Sequence, residues 1–322
     1  MDKVLAPARA ISHPKEKRGR IFEVDFLRGV AIFLMVLLHF CYTFGYGTKD
    51  FYGIQLGREP EWYISIARFC RFVFCSITQP KGSAVLDYSD KALMNFNTNL
   101  HCLEIFWSGM FMFLAGLSCT LSKNNIKRGV QIFLVANLLS MTLELISDLF
   151  GVFDMHIWCG ILHAMSIGII IYSIFDHFFP KWWHTLIAFI VLGVLAGIVI
   201  HFTYGEGKFI TSIRPPFKTA EQFFTEMGQL LIGTKRFGDD YFSPLLVTTA
   251  VFGGAAVGKT VYKKKKSLLP SWFNTAWGRP ITFIGRHTLI IYVTHQVVAA
   301  IILVIVMTAS GVPFPFSPGV LD

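Results

Sequence analysis

Leu186-Ile-Ala-Phe-Ile-Val-Leu-Gly-Val-Leu-Ala-Gly-Ile-Val-Ile-His-Phe202 is an apolar run that contains no Asp, Glu, Lys or Arg. Trp182 and Trp183 precede it and Tyr204 follows it, as expected where a helix meets the two surfaces of a bilayer. The run approaches the ~20 residues that a helix needs to cross the hydrocarbon layer. A lone lipid-exposed strand could not satisfy its backbone polar groups there. The run therefore predicts a transmembrane helix.

Six further apolar runs recur along the 322 residues of the chain. They are Val30–Phe44 (extended backwards by Phe22–Gly29), Leu103–Leu121, Val130–Ile146, Ile157–Phe175, Phe242–Val261 and Pro280–Met307. Charged residues make up only 15% of the chain, too few to cover a water-facing surface. We therefore predict an all-α polytopic transmembrane helix bundle with about seven spans. The aromatic-rich stretch Trp62–Gln79 contains Arg68 and Arg71, so an interfacial or re-entrant helix is predicted there rather than a full span.

Basic residues between the runs predict the orientation of the spans. Residues 1–20 contain six Lys or Arg residues, and the run Lys263–Lys266 separates spans six and seven. The loop between spans three and four contains Asp148 and Asp154 but no Lys or Arg. The positive-inside rule then places the N-terminus in the cytoplasm of a multi-pass protein of the cell membrane. The net charge of +9 is interpreted as topology signals and contacts with anionic lipids, not as a nucleic-acid surface.

Three segments follow from this pattern. They are a basic cytoplasmic segment at residues 1–20, the transmembrane domain at 21–310 and a short C-terminal tail at 311–322. The six cysteines form no CxxC pair, and neither HExxH nor a Walker motif is present. The sequence therefore predicts no metal site, and chemistry, if there is any, depends on His and Asp.

Ionisable side chains inside a membrane are costly and are candidates for function by default. Asp25 and Arg28 lie three residues apart at the cytoplasmic start of span one, so they can pair on one helix face. A structural salt bridge and a pocket for an anionic ligand both fit this spacing. In a pocket, Arg28 would face a phosphate, because its planar guanidinium suits that group. Arg286 could complete such an anion site.

Two histidines are predicted to lie deep in the bundle. His39 is ~10 Å below the outer end of span one, and His163 is ~10–14 Å from the outer side in span four. Each is either a hydrogen-bonded member of the bundle or a general acid or base, since histidine titrates near neutrality. The two could face one cavity.

Asp239 and Asp240 precede span six on the outer side. They can cap that helix, or a carboxylate there can become the partner of His39. In span seven, Thr288, Tyr292 and His295 share one helical stripe, which should face the bundle or a cavity.

The order and spacing of these motifs resemble the bacterial membrane proteins related to the catalytic domain of heparan-α-glucosaminide N-acetyltransferase, from about residue 20 to 298. The matching pieces are Arg20–Met35 with His39, Phe111–Ser118, Asn124–Gly129, Gly160–His163, Asp240–Phe242 with Pro244, and Gly285–Leu289 with His295–Gln296. The resemblance implies a membrane acyltransferase that takes an acyl group from cytoplasmic acetyl-CoA or another acyl-CoA. The acceptor would be a sugar or cell-envelope glycan on the far side. The site residues that the resemblance implies are His39, His163, Asp240 and His295.

The leading hypothesis assigns a role to each of these residues. His39 or His163 would be the general base, and Asp240 would orient it. Arg28 and Arg286 would hold the CoA phosphates, with His295 also in the acyl-CoA site. Membrane lipids are the other partners expected. The sequence leaves open whether two copies form a homodimer.

Two alternatives stay open. A transporter or carrier of a polar metabolite could use buried His and Asp as proton relays, although no internal repeat is evident. A scaffold without chemistry would tolerate substitution of the histidines.

Overall fold

The computed structural model of the chain describes residues 21–55, 58–78, 100, 102–150, 157, 159–204, 211–213, 219–237, 240–269 and 278–313. Ten helices lie in these residues: α1 (Phe22–Tyr52), α2 (Glu61–Thr78), α3 (Cys102–Leu121), α4 (Asn125–Phe150), α5 (Ile161–Phe178), α6 (Trp182–Tyr204), α7 (Ala220–Ile232), α8 (Pro244–Thr260), α9 (Gly278–Arg286) and α10 (Thr288–Ala309). The short strands β1 (Thr211–Ser212) and β2 (Lys235–Arg236) pair in parallel beside α7. The predicted segment 1–20 and residues 314–322 of the predicted tail lie outside the described residues.

The predicted all-α membrane bundle is confirmed. Five helices, α1, α4, α5, α6 and α10, are long and apolar enough to cross a membrane. The other two predicted spans correspond to α3, whose apolar part is Phe106–Leu121, and to α8, which has 17 residues and many Gly and Ala. The number of spans is thus consistent with the predicted seven. The stretch predicted to be interfacial or re-entrant forms α2.

The first and last spans run side by side in the same direction. His39 of α1 lies beside His295 of α10, and further along both helices Gly47 lies beside Leu303. Helices of a chain that crosses a membrane back and forth are parallel only when an even number of crossings separates their starts. The first and seventh spans meet this condition, so the contact agrees with the predicted count.

Helix α8 is the centre of the other half of the bundle, where it contacts α3, α5 and α6. Gly254 approaches α3 so closely that a Cβ atom there would lie 1.8 Å from the carbonyl oxygen of Phe113. Conversely, a Cβ atom on Gly116 of α3 would lie 1.9 Å from the carbonyl oxygen of Val251. Small residues that allow such backbone contact are the usual basis of helix packing in membranes.

Helix α1 is longer than the predicted span, which ended at Phe44. Its 31 residues span about 46 Å, and it ends at Gly53 in the left-handed conformation (φ 64°). The extra turns are covered by α2, whose Tyr63 hydroxyl donates to the carbonyl of Phe44. His39 therefore lies ~20 Å from the end of the helix.

The predicted continuous span Pro280–Met307 is wrong, because the chain breaks at His287 (φ −111°, ψ 24°) between α9 and α10. The break follows from close packing of α9 on the start of α1. A Cβ atom on Gly285 would lie 1.7 Å from the carbonyl oxygen of Asp25, and one on Gly29 would lie 1.9 Å from that of Ile281. These contacts make α9 antiparallel to α1, so the chain must reverse before α10 can run parallel to it.

Candidate functional site

An arginine cluster, formed by Asp25, Arg28 and Arg286, lies where α1 begins. Arg28 Nη1 is 3.6 Å from Asp25 Oδ1, which confirms the predicted pair within α1. Arg286 Nε of α9 donates to Asp25 Oδ2 at 3.2 Å. The structure thus brings the two predicted anion-binding arginines together, but around a shared buried carboxylate. The cluster keeps one net positive charge, and the Arg286 side chain is 41% exposed.

Glu23 binds the segment that follows the basic run Lys263–Lys266 and holds it at the start of α1, beside the arginine cluster. Its carboxylate accepts hydrogen bonds from Ser267 Oγ at 2.5 Å and from the backbone N–H of Leu268 at 2.6 Å. The four lysines of Lys263–Lys266 are therefore held at the end of the bundle that carries the arginine cluster, and all four are exposed. Cationic side chains concentrate at this end.

A histidine pair, His39 and His295, lies farther along α1 and α10. The two ring centroids are 4.9 Å apart and the ring planes are inclined by 64°. His39 Nδ1 bonds to the carbonyl of Met35 at 3.0 Å, and His295 Nδ1 to the carbonyl of Tyr292 at 2.6 Å. A carbonyl oxygen only accepts, so each Nδ1 carries a hydrogen and the Nε2 of each neutral ring is an acceptor.

The acceptor nitrogen of His295 has no partner in the described part of the chain. His295 is 7% exposed, and its Nε2 is buried without a hydrogen bond there. One turn farther along α1, Thr43 Oγ1 donates to Gln296 Oε1 at 3.3 Å, which helps fix the register of the two helices. A buried, oriented acceptor nitrogen is what a proton-accepting group requires.

The third group of polar residues lines a narrow pocket, here called the Asp240 pocket. His163, Asp240 and Tyr292 are among its lining residues. Asp240 precedes α8 and lies against the start of α5. A Cβ atom on Gly160 would lie 3.0 Å from Asp240 Oδ2, so the absence of a side chain there makes room for the carboxylate. The backbone N–H of Phe242 donates to the carbonyl of Cys159 at 3.0 Å and joins the two segments.

The carboxylate of Asp240 also acts on its surroundings electrostatically. Burial and the neighbouring Asp240 carboxylate together raise the pKa of the Cys159 thiol to about 12. The predicted cap of α8 by the carboxylate pair is replaced by Ser243, whose side chain accepts from the N–H of Leu246. Asp240 lines the pocket, while Asp239 lies outside the described residues.

Tyr292 connects the histidine pair with the Asp240 pocket. Its carbonyl accepts from His295, its ring lies 5.7 Å from the ring of that histidine, and its side chain lines the pocket with His163 and Asp240. The sequence placed Tyr292 on the polar stripe of span seven but gave it no role. Its neighbours across the bundle could be identified only from the packing of Tyr292 against the core that α3, α4, α5 and α8 form.

The predicted site residues therefore form three groups. His39 pairs with His295, and His163 shares a pocket with Asp240. His39 is not among the residues that line this pocket, and its partnership with Asp240 and a cavity shared with His163 stay predictions. In the ranges that the structure describes, no group of three His, Cys, Asp or Glu side chains could hold a metal ion.

One comparison with known proteins is informative. The family model described as heparan-alpha-glucosaminide N-acetyltransferase, catalytic, matches residues 20–78 and 83–297. The match includes all three groups of side chains described above. No curated protein and no solved structure matches the chain.

Proposed function

Because the chain belongs to the heparan-alpha-glucosaminide N-acetyltransferase catalytic family, we propose that it is an acyltransferase that moves an acetyl or other acyl group from acyl-CoA to a sugar or cell-envelope glycan. The reaction would take place inside the helix bundle. The donor would enter from the end that carries the arginine cluster. This end would face the cytoplasm, as the basic residues of the loops predict.

The separation of two polar levels along α1 is the observation that carries the proposal. Arg28 and His39 are 11 residues apart on one helix, which corresponds to ~16 Å. Acyl-CoA has the same polarity, with phosphates at one end and the reactive thioester at the other. A donor whose phosphates contact the arginine cluster would extend its thioester toward the histidine pair and the Asp240 pocket.

The chemistry needs a proton acceptor beside the acceptor sugar. The Nε2 of a neutral histidine would take the proton of a sugar hydroxyl or amine as its oxygen or nitrogen attacks the thioester carbonyl. The C–S bond then breaks, and the leaving CoA thiolate receives a proton from the imidazolium. The new ester or amide holds the acyl group, and the histidine returns to its neutral form.

Two histidines are candidates for this step, and their neighbours differ. His163 lies in the pocket with Asp240, whose carboxylate would favour the imidazolium and help orient the ring. His39 lies against His295, and its Nδ1 is already held by the carbonyl of Met35. We assign the base to one of these two and the orientation of the donor to the other groups.

The test is acyl transfer by the purified protein in proteoliposomes with radiolabelled acetyl-CoA. Glucosamine serves as the amine acceptor and methyl glucoside as the hydroxyl acceptor, and release of the CoA thiol is followed in parallel. We expect labelled product with the wild-type protein and a large loss of rate in H39A or H163A. If both variants transfer at the wild-type rate, the proposed mechanism is wrong.

The same preparation separates the proposal from its alternative. A carrier of polar metabolites would move solute across the vesicle membrane without acyl-CoA and would release no CoA thiol. Uptake or efflux under those conditions, with no labelled product, would favour the carrier.

A further inference from the structure

Arg128, in the first turn of α4, differs in its ion pairing from the other buried or half-buried Lys and Arg side chains of the described residues. The buried or half-buried Lys and Arg side chains of the described residues pair with carboxylates in four cases: Arg28 with Asp25, Arg71 with Glu59, Lys235 with Glu226 and Lys259 with Asp176. Arg128 is also half-buried, yet it forms no ion pair with a described residue. The one hydrogen bond of its guanidinium to a described residue runs from Nη2 to the carbonyl of Ala115 in α3, at 3.4 Å.

An unpaired sheltered charge is costly. A charge removed from water is normally compensated by an opposite charge or by several hydrogen bonds. One long bond to a neutral carbonyl does not supply this. The first turn of α4 contains no acidic side chain either, so nothing within the helix compensates Arg128. An anion from outside the protein would supply the missing negative charge.

The position of Arg128 points to the same ligand as the arginine cluster. Arg128 contacts Ala115 of α3, and Leu114 and Leu117 of the same helix pack against Ile21 and Val24, where α1 begins. Arg128 and the start of α1 therefore lie beside the same part of α3.

The arginine cluster and Arg128 differ in how their positive charge is compensated. Arg28 and Arg286 share Asp25, so together they keep one positive charge. Arg128 keeps its whole charge and its planar donors, which fit two oxygens of one phosphate. We propose that Arg128 binds a phosphate group of acyl-CoA between the starts of α1 and α4 and the end of α3. This rests on the proposed acyltransferase function.

Lys127 provides a matched control, because it is the next residue, carries the same charge and is exposed. The full chain would be placed in nanodiscs of phosphatidylcholine, and binding of radiolabelled acetyl-CoA would be measured for wild type, R128Q and K127Q. We expect R128Q to weaken binding about 10- to 100-fold, as expected for the loss of a charge-assisted contact. K127Q should stay within about 2-fold of wild type, since exposed charges contribute little.

A second variant covers the case in which R128Q does not fold. R128K keeps the charge but loses the planar set of guanidinium donors. Its binding of acetyl-CoA should therefore weaken about 3-fold or more, while its melting temperature stays near that of the wild type. Wild-type affinity in R128Q or R128K would overturn the proposal and leave the acyltransferase function standing. A wild-type protein that binds no acetyl-CoA would overturn both.

Anionic lipid is the other source of a phosphate at this level, and a second arm tests it. The same proteins in nanodiscs with phosphatidylglycerol would be assayed for retained lipid and for acetyl-CoA binding. If R128Q loses phosphatidylglycerol but binds acetyl-CoA as wild type does, Arg128 is a lipid site and the proposal is wrong. If R128Q loses acetyl-CoA binding in both lipids, the proposal is supported.

Discussion

His39 and His295 meet edge to face, with ring centroids 4.9 Å apart, although they come from the first and last helices of the bundle. Each ring uses Nδ1 to bond a carbonyl of its own helix, so the remaining nitrogens are oriented by the backbone. Two imidazoles held in this way are prepared to accept a proton without first reorganising. This contact leads to the first prediction.

Replacing His39 with Gln should slow acyl transfer by about 10²- to 10⁴-fold, the usual contribution of a general acid or base. The control is H287Q, because His287 makes the same kind of bond to the carbonyl four residues back, at 2.9 Å, but is exposed. Initial rates with labelled acetyl-CoA measure both. Equal rates in the two variants would mean that the histidine pair has no part in the reaction.

Replacing Gly160 with Ala should disturb the Asp240 pocket. The new Cβ atom would lie 2.9 Å from Ile157 Cγ2 and 3.0 Å from Asp240 Oδ2, so the carboxylate must shift. We expect kcat to fall about 10-fold or more, because positioned groups tolerate little displacement. Gly197→Ala, at a position with nothing within 4 Å of the added atom, is the control and should keep its activity. The proposed role of Asp240 does not survive if G160A is as active as G197A.

Replacing Gly254 with Ala should destabilise the bundle rather than the chemistry. The added atom would meet the backbone of Phe113 at 1.8 Å, and the backbone cannot move aside without separating α3 from α8. Overpacking of this kind costs about 1–3 kcal/mol or more. G109A in α3, where the added atom has open space, should instead leave the melting temperature equal or higher. Thermal unfolding in detergent gives both values, and a G254A melting temperature at the wild-type level would contradict the close packing.

Removing Glu59 should loosen α2 from α1. The Arg71 and Glu59 side chains form an ion pair and are 1% and 0% exposed, and Arg71 Nε also donates to the carbonyl of Gly45 at 2.6 Å. E59Q leaves a buried charge without its partner, which costs about 3–5 kcal/mol.

The control for this pair is Glu61, the exposed first residue of α2, whose change to Gln should have little effect on stability. Adding R71M to E59Q should recover part of the lost melting temperature, because the buried charge that has lost its carboxylate is then removed. If E59Q and E61Q melt at the same temperature, the pair does not hold α2 in place.

Hydropathy and charge were sufficient to predict the bundle, because membrane crossing depends on length and composition within each segment. The pair of Asp25 and Arg28 was predictable for a similar reason, since three residues along a helix fix the face that they share. The extension of α1 to Tyr52 was not predictable from its own residues. Its polar last turns are helical because α2 covers them, and that covering is a tertiary contact.

The composition of the candidate site was predictable, but its arrangement was not. The sequence identified His39, His163, Asp240 and His295 as polar residues in apolar surroundings, yet helical spacing says nothing about the register between separate helices. Arg128 was not among the predicted site residues, because its burial and its lack of a carboxylate partner depend on where α1 and α3 lie. The sequence pattern therefore identified the candidate residues, but only the packing of the helices shows which of them contact one another.

The side-by-side arrangement of α1 and α10 also has a consequence for biosynthesis. A ribosome makes His39 long before His295, and at 5–20 residues per second the delay is roughly 10–50 s. During that interval the first helix is already inserted while its partner has not been synthesised. A chain that is truncated or stalled before His295 would therefore carry most of the bundle and yet lack the histidine pair.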